Sequence, residues 1–399
     1  MPAPPHEPGS GPGMLLPPLA LYLHIPFCTR KCPYCDFHSD AVALPPEESY
    51  VAALVQELRL WRHRLVQDSR PLQSIFIGGG TPSLFSATGI TTILDTIRSL
   101  WSLLPAAEIT LEANPDSVTL ARLEGYRAAG VNRLSLGIQA LTADRLALLG
   151  RIHTADAART AIRTARVAGF ANLGLDLIYA TPGQTPADWQ LELTEALTWN
   201  PEHLSCYTLT MEPGTPFTAR YLAAALSEDI SLEMFQYTHA TLARLGWPPY
   251  EISNFAKPGY HSRHNCNYWA FGDHIGIGAA AHGKLTFLDG GHFKSRRTAN
   301  HPNVTTYLQS LQENHLPLLL DAIQSPDEAA ADALIMGLRQ GIGLDRHLYR
   351  TIKGVDIVTE KQARLAHFRA AGWVKESPER LFLTPQGMPL ADSIMADLL

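Results

Sequence analysis

The first half of the chain alternates short apolar runs with stretches in which apolar residues recur every three or four positions. Between the runs, spacings such as Val51, Leu54, Leu58 and Trp61 predict amphipathic helices. The runs themselves predict six strands, at 19–24, 74–77, 108–112, 133–137, 172–179 and 203–209. Six β/α units in series indicate an α/β fold in which helices cover a parallel sheet.

Polar residues or glycines stand at or near the carboxyl ends of these strands, at 78–80, Glu112, Gln139, Asp176 and Tyr207. Catalytic groups of β/α barrels gather at that face, so the set favours a barrel-like arrangement. The simpler alternative is that strand ends are polar in general. The pattern alone does not decide whether the sheet closes.

The second half of the chain is less regular, because residues 212–300 are rich in Gly, His and aromatic side chains. Helical spacing returns from about residue 302, and the apolar runs 373–375 and 381–383 flank a polar segment that predicts a β-hairpin. Helices followed by a hairpin suggest a winged-helix-like α+β domain. From Asn300 onward, nine Lys and Arg stand against twelve Asp and Glu, which favours a structural or interaction role over DNA binding.

Composition excludes several classes of protein. Among 399 residues, 46% are hydrophobic and 18% charged, which is typical of a globular chain and not of a disordered one. A net charge of −6 argues against nucleic-acid binding. The apolar stretch 14–23 contains Pro17 and Pro18 and has no Lys or Arg before it, so it is neither a membrane span nor a signal peptide. We expect residues 1–18 to form a disordered lead-in and the protein to be cytoplasmic.

The strongest chemical signal is a C-x3-C-x2-C run formed by Cys28, Cys32 and Cys35, just after the first strand. Three thiolates within eight residues can converge on one metal centre, and we expect Arg30 and Lys31 to lower the thiol pKa values. Iron–sulfur clusters usually take four cysteine thiolates, so three would leave one iron open.

The other cysteines and a nearby histidine leave alternatives. Cys206 and Cys266 are isolated in sequence, and each is more readily a buried small residue than a fourth ligand. His38 completes a Cys3His set that could bind zinc. A structural zinc loop would not predict the glycine run and the strand-end polar groups that follow, so zinc is the weaker alternative.

The segment 22–28, Tyr-Leu-His-Ile-Pro-Phe-Cys, together with the cysteine run resembles the radical S-adenosylmethionine (SAM) superfamily. Within it, the chain resembles the branch of oxygen-independent coproporphyrinogen III oxidases and HemW-type heme chaperones. The resemblance implies a partial (β/α)6 barrel at 19–250, a connecting segment at 251–300 and a C-terminal domain at 301–399. It also implies that the three cysteines hold a [4Fe-4S] cluster. The open iron would bind SAM, which electron transfer cleaves to a 5′-deoxyadenosyl radical.

The same resemblance assigns the SAM contacts, and their chemistry suits it. Glycines after the second strand let the backbone approach a ligand closely. Carboxylates accept from ribose hydroxyls and an amino group, and arginine pairs with a carboxylate. At 180–181 this chain has Ala-Thr where the family usually has Gly-Leu. The implied contacts are Tyr22, Tyr34, Gly79, Gly80, Thr81, Glu112, Gln139, Arg151 and Asp176.

Two features favour the chaperone side of the branch. The oxidases have a fourth cysteine where this chain has Phe37, and a longer N-terminal extension. Residues 264–269 match the chaperone motif H-N-x-x-Y-W, in which an imidazole can ligate heme iron and aromatic rings can pack on the macrocycle. The alternative is a hydrogen-bonded core cluster. The heme candidates are His264, Asn265, Tyr268 and Trp269, with His261 as a second possible iron ligand.

A glycine pattern at 276–283 imitates a dinucleotide-binding fingerprint. We reject that interpretation because no strand is predicted before it and no acidic residue lies about 20 positions on.

The resemblance therefore predicts a heme chaperone that carries a [4Fe-4S] cluster and SAM and transfers heme to acceptor hemoproteins. It implies an electron donor for the cluster and no nucleic-acid partner, and leaves a homodimer and a peripheral membrane association open. Whether SAM is cleaved in this function is not decided by the sequence. The alternatives are the oxidase, which would decarboxylate coproporphyrinogen III, and a zinc-stabilised interaction protein.

Replacing Cys32 by Ser tests the ligand assignment. We expect Cys32→Ser to abolish the visible absorbance of the anaerobically reconstituted cluster, because one of three local thiolates is lost. Cys206→Ser, at a cysteine outside the run, should leave the spectrum as in the wild type. An unchanged spectrum in Cys32→Ser would contradict the assignment.

Overall fold

The six predicted strands form one parallel sheet in the computed structural model, which describes residues 16–399. The strands of this part of the chain are β1 Leu19–Ile25, β2 Phe27–Cys28, β3 Asp40–Ala41, β4 Leu72–Gly79, β5 Leu103–Ala113, β6 Arg133–Gln139, β7 Leu173–Tyr179, β8 His203–Thr208, β9 Asn254–Ala256, β10 Asp273–Ile277, β11 His282–Asp289, β12 His292–Asn300, β13 Leu318–Ile323, β14 Leu344–Asp345, β15 Val374–Glu376 and β16 Arg380–Leu383.

Helices alternate with these strands as the apolar spacing predicts. Several begin at a Ser or Thr cap, such as Ser86, whose side chain accepts from Gly89 N. The α-helices of the described residues are α1 Glu47–Arg64, α2 Ala87–Leu100, α3 Leu120–Ala129, α4 Ala143–Leu148, α5 Ala155–Val167, α6 Pro186–Thr198, α7 Pro216–Tyr221, α8 Glu228–Leu245, α9 Arg263–Trp269, α10 Val304–Gln312, α11 Pro326–Arg339, α12 Arg346–Lys353, α13 Ile357–Glu360, α14 Gln362–Ala370 and α15 Ala391–Leu398.

The main sheet is an incomplete barrel. Its strand order is β13-β12-β11-β10-β1-β4-β5-β6-β7-β8-β9, and the outer strands β13 and β9 are not paired with each other. Along each inner strand, alternate residues face the covering helices and the lumen. Leu21 and Ile75, for example, pack in the core with Leu54 of α1, whereas Tyr22 and Phe76 face the other side. This architecture confirms the predicted α/β fold.

The sequence did not predict the four strands that extend the sheet beyond β1. β10 pairs with β1 in parallel, and β11, β12 and β13 follow in antiparallel pairs. The expectation that no strand precedes the 276–283 glycines is therefore wrong. The dinucleotide fingerprint still fails, because the glycines lead into strand β11 and not into a helix. Gly278 has φ +105° and packs against the His24 carbonyl, where a side chain has no room.

The C-terminal unit has its own apolar core, formed by residues such as Leu334, Ile357, Leu365 and Leu381. It contains the expected hairpin, β15 with β16, and β14 adds a third strand. The unit starts at α11, because residues 301–323 belong to the main sheet and its core, whereas we expected a boundary at 301. No helix within residues 16–399 has the length and apolarity to cross a membrane.

A buried ion cluster fixes the added strands to the rest of the sheet. Asp273 of β10 is fully buried and accepts from Lys284 Nζ at 3.0 Å and from Arg70 Nη1 at 2.7 Å. Arg70 also donates to Pro17 O, and Asp273 N donates to Pro18 O, so residues 17 and 18 of the expected lead-in contact the core. Residues 1–15 of that segment lie outside the described part.

Asp273→Asn should destabilise the fold by about 3 kcal/mol, because it leaves Lys284 buried without its charge partner. Urea unfolding monitored by circular dichroism would measure the loss. Asp95→Asn is the control, because Asp95 pairs with Arg98 on the exposed surface and should cost about 0.5 kcal/mol or less. Equal losses in the two variants would show that the buried cluster does not stabilise the sheet.

Candidate cluster and cofactor site

A cavity of about 390 Å³ opens at the carboxyl ends of the parallel strands. All three cysteines of the C-x3-C-x2-C run line it, and so do eight of the nine residues predicted to contact SAM. The wall also includes side chains that the sequence did not assign to a site. Its lining among the predicted residues is Cys28, Cys32, Cys35, Tyr34, Gly79, Gly80, Thr81, Glu112, Gln139, Arg151 and Asp176.

Backbone hydrogen bonds fix the cysteine loop to the segment after β3 and to helix α7. Val42 N donates to Cys28 O at 2.9 Å, and Phe217 N donates to Pro33 O at 3.0 Å. The loop also lies directly on the glycine run. A Cβ at Gly80 would stand 2.7 Å from the Phe27 carbonyl oxygen and 3.0 Å from Cys28 Sγ. Glycine is therefore required here by the close approach of the two loops.

The three thiols fit a [4Fe-4S] cluster better than a single metal ion. All are free and partly exposed to the cavity. Among residues 16–399, no three or more His, Cys, Asp or Glu side chains are placed to hold one ion, so the Cys3His zinc set is not assembled. A cluster spreads its thiolates over different irons and needs no such convergence. Thr81 Oγ1 and Arg151 Nη1 each lie 3.5 Å from a sulfur, of Cys28 and Cys32, as donors that tune a cluster do.

The Lys31 charge lowers the pKa of the Cys35 thiol as expected, but the net shift is upward. Burial raises the pKa of its thiol, and the Lys31 charge and a hydrogen bond from Phe37 N counteract this only in part. Arg30 and Lys31 are exposed to solvent, and Lys31 Nζ donates to Phe37 O at 3.0 Å. Their charges are therefore screened from the sulfur, whereas the cost of burying a thiolate is local.

Two carboxyl groups face the cavity from β5 and β7. Burial raises the pKa of Glu112 to about 8, the Asp176 charge adds to the effect, and Gly79 N and Arg133 oppose it. Burial also raises the pKa of Asp176, against hydrogen bonds from Ser205 and Ser135. Such carboxyl groups are stabilised as anions when a cationic ligand arrives, which suits the amino group and sulfonium of SAM.

Asn114 connects two predicted residues and was not itself predicted. Its Oδ1 accepts from Arg151 Nη2 at 2.6 Å, and its Nδ2 donates to Thr81 Oγ1 at 2.9 Å. Arg151 also donates to Gly137 O at 2.9 Å, so hydrogen bonds fix the guanidinium before any ligand binds. The segment Glu-Ala-Asn-Pro contains the residue, but a neutral side chain inside a motif gives no signal of its own.

Two residues near the strand ends have left-handed backbone conformations. Gln139, a predicted SAM contact, has φ 59°, and Ala180 has φ 58°. Such a conformation costs a residue other than glycine on the order of 1 kcal/mol or more, and it is often found at functional sites. Ala180 therefore stands where the family usually has glycine, and glycine would adopt this backbone conformation without strain.

Two tyrosines lie differently from what the sequence suggested. Tyr22 lies outside the cavity lining, because it is further from the carboxyl end of β1 than His24, to whose Nδ1 its hydroxyl is bonded at 2.9 Å. Its depth along β1 is not readable from the motif. Tyr207, noted only as a strand-end residue, lines this cavity and also a second one.

The second cavity, of about 330 Å³, lies beside α9, and three of the four heme candidates line it: Asn265, Tyr268 and Trp269. The other walls are Tyr207, Glu251, Asn254 and Arg339. We call this space the Arg339 cavity. His261 lies outside it, exposed and stacked on Tyr250 at 4.7 Å between ring centroids. The motif helix therefore presents two aromatic side chains and an amide to a ligand-sized space.

His264 lies behind this cavity in the core. Its ring stacks on Phe76 at 5.0 Å and packs edge-on to Tyr268 at 4.9 Å, and Nδ1 is bonded to Ser74 Oγ at 3.1 Å. Burial lowers its pKa to about 3, so the imidazole is neutral at physiological pH. Nε2 has no hydrogen-bond partner among residues 16–399. His264 is therefore buried in the core, as the alternative of a hydrogen-bonded core cluster predicts. One of its two ring nitrogens nevertheless makes no hydrogen bond.

Comparison with known proteins identifies both parts of the chain. The Radical SAM superfamily profile matches residues 22–193, and the HemN C-terminal domain profile matches residues 324–390. The heme chaperone HemW of Haemophilus influenzae is 46% identical over 279 residues, 69% of this chain and 72% of that protein. HemW of Bacillus subtilis is 33% identical over 383 residues, 95% of this chain and 98% of that protein.

A solved structure supports the fold over nearly the full length. Coproporphyrinogen III oxidase (HemN) from Escherichia coli, a radical SAM enzyme, aligns with a TM-score of 0.79 and 25% identity. The alignment covers 96% of this chain and 90% of that one. The partial barrel and the C-terminal domain are therefore arranged as in a radical SAM protein.

The pKa of Glu112 predicts a pH-dependent affinity for SAM. Below about pH 8 the carboxyl group of the free protein is mainly protonated, and a cationic ligand binds better to the carboxylate. Affinity should therefore rise with pH, by up to about tenfold per unit, and level off above about pH 8. Calorimetric titration of the cluster-reconstituted protein at several pH values measures this.

Glu112→Gln is the matched control, because the amino group of SAM also titrates near pH 8. The contribution of Glu112 is the difference between the two pH profiles, together with the protons released on binding. Identical profiles for the wild type and Glu112→Gln would show that this carboxyl group does not face the cation.

Proposed function

The chain belongs to the HemW heme-chaperone family of the radical SAM superfamily, and on this premise we propose that it binds heme and transfers it to acceptor hemoproteins. The observation that carries the proposal is the placement of the H-N-x-x-Y-W helix. Asn265, Tyr268 and Trp269 line a cavity that shares Tyr207 with the cluster and cofactor cavity. An aromatic wall beside a redox site suits a flat, largely apolar macrocycle.

The cluster and SAM sites follow from the family. Cys28, Cys32 and Cys35 would hold the [4Fe-4S] cluster, which together with SAM supplies one-electron chemistry when bound. Arg151 and Thr81, which donate to the sulfurs of Cys32 and Cys28, would then donate to the ligating thiolates. Glu112 and Asp176 would accept hydrogen bonds from the amino and ribose groups of SAM. Both face the cavity, and burial raises the pKa of each, so a cationic ligand would stabilise the carboxylate form.

His264 is the proposed iron ligand, and its surroundings set conditions on that role. Its neutral imidazole is the form that ligates iron, and Nε2 is not engaged by another protein group among the described residues. The same nitrogen is shielded from solvent, so coordination requires the ring to leave its stack on Phe76 or α9 to shift. Heme binding would then be accompanied by loss of the Ser74 hydrogen bond.

The oxidase is the alternative function, and the fold alone does not exclude it, because the HemN structure aligns over most of the chain. One residue distinguishes the two. Phe37 stands where the oxidases have their fourth cysteine, and its side chain is 65% exposed beside the cluster loop. The relatives in the comparison that carry the HemW name also favour the chaperone.

A combined assay separates these functions. Cluster-reconstituted protein with SAM and a reductant is given coproporphyrinogen III, and a second sample is titrated with heme. We expect stoichiometric heme binding and no decarboxylated product. Turnover to protoporphyrinogen would replace the chaperone proposal by the oxidase.

Substitution of His264 tests the proposed ligand. His264→Ala and the better-filling His264→Phe should both weaken heme binding about tenfold or more and change the Soret band, because both remove the imidazole. His315→Ala, at an exposed histidine of the main-sheet unit, should bind heme as the wild type does. Unchanged affinity and spectrum in His264→Phe would return His264 to a purely structural role.

A further inference from the structure

We propose that the Arg339 cavity receives a carboxylate of the macrocycle, a heme propionate, and that Arg339 is its ion partner. This inference rests on the proposed heme-binding function and adds the orientation of the ligand. It assigns a binding role to the last residue of α11, in the C-terminal unit, whereas the sequence motif for heme lies entirely in α9.

Arg339 has hydrogen-bonding capacity that the protein does not use. Its Nη2 donates to Glu251 Oε2 at 3.3 Å, and its guanidinium lies 4.9 Å from the centroid of the Trp269 ring. Among residues 16–399 this is the only hydrogen bond recorded for its side chain, and Nε has no partner. A guanidinium carries five N–H donors in a planar fork that matches a carboxylate. Nε is buried, so the donors open to a ligand at the cavity wall are those of the two terminal nitrogens.

Glu251 positions Arg339 without saturating it. Glu251 is fully buried, and its Oε1 already accepts from Ser253 N at 2.7 Å and from Asn254 Nδ2 at 2.6 Å. Only Oε2 meets Arg339, so the guanidinium can lie between this carboxylate and a second one. Deeper in the barrel, buried Arg133 carries a positive charge, and the carboxyl groups of Asp176 and Glu112 lie on the far side of Tyr207. The pairing with a second anion therefore depends on Arg339 itself.

The junction between the two units does not need the unused donors of Arg339. Gln340 Nε2 donates to Trp269 O at 2.7 Å, and residues 251 and 340 form a backbone bridge. These bonds already fasten the end of α11 to the segment around α9. An arginine with a purely structural role at this junction would be expected to donate most of its N–H groups to protein acceptors.

The remaining walls favour the edge of a macrocycle over a small inorganic anion. Three aromatic residues, Tyr207, Tyr268 and Trp269, line the cavity, and Asn265 Nδ2 makes only a long hydrogen bond of 3.4 Å to Tyr250 OH. A volume of about 330 Å³ accommodates one propionate-bearing edge of the macrocycle. The carboxylate is then paired at Arg339, and the ring beside it packs on aromatic side chains.

Esterified heme provides a direct test. The full-length, cluster-reconstituted protein is titrated with hemin and with hemin dimethyl ester, which keeps the ring and iron but lacks both carboxylates. We expect the wild type to bind hemin about tenfold or more tightly than the ester, as for a charge-assisted hydrogen-bonded pair. Arg339→Gln should weaken hemin binding by a similar factor, leave ester binding nearly unchanged, and so abolish the preference.

Two further variants keep the test decisive. Arg339→Lys retains a cation beside Glu251 if Arg339→Gln fails to fold, and it should reduce the preference because it lacks the planar fork. Arg369→Gln, at a partly exposed ion pair with Glu376 in the same unit, should behave as the wild type. Tight wild-type binding of hemin and ester alike, or an unchanged preference in the Arg339 variants, overturns the propionate site. A wild type that binds neither overturns the proposed function itself.

Discussion

A sheet that does not close into a full barrel cannot cover its own lumen, and this constraint shapes the rest of the molecule. Helix α9 fills the open lumen. Its amino end is fixed by Glu108 of β5, whose carboxylate accepts from Arg263 N at 3.0 Å and from His264 N at 3.2 Å. A carboxylate at the amino end of a helix accepts from free N–H groups and interacts favourably with the positive end of the helix dipole. Because α9 is held there, one cavity remains at the strand ends and another remains beside the helix.

The parallel half of the fold was predictable because its signals are local. Apolar runs and helical spacing place all six strands, and the glycine and cysteine motifs place the cluster loop at their carboxyl ends. The extension β10–β13 was not predictable, since strands such as β12 carry Ser295, Arg296 and Arg297 in place of an apolar alternation. Their pairing depends on partners that are distant in sequence, such as Asp273 of β10 and Arg70, which lie 203 positions apart.

The site shows the same division between local and distant causes. Thr81 and Arg151 were assigned by the family resemblance, and both line the cavity at the strand ends. Asn114, which joins them, and the depth of Tyr22 depend on how strands are aligned. For Cys35, the charges of neighbouring residues in the sequence predicted a lowered pKa, but burial by the folded chain outweighs them. The placement of His264 in the core likewise follows from β4 residues, Ser74 and Phe76, that are remote in sequence.

Tyr207 is a single side chain with a face in each of two cavities. Any ligand that changes its rotamer at the strand ends changes the shape of the neighbouring space beside α9. By thermodynamic linkage, the coupling must act with equal strength in the opposite direction. If heme and SAM bind as proposed, each would then change the affinity of the protein for the other without direct contact between them. The fraction of protein that carries heme would depend on the concentrations of both ligands.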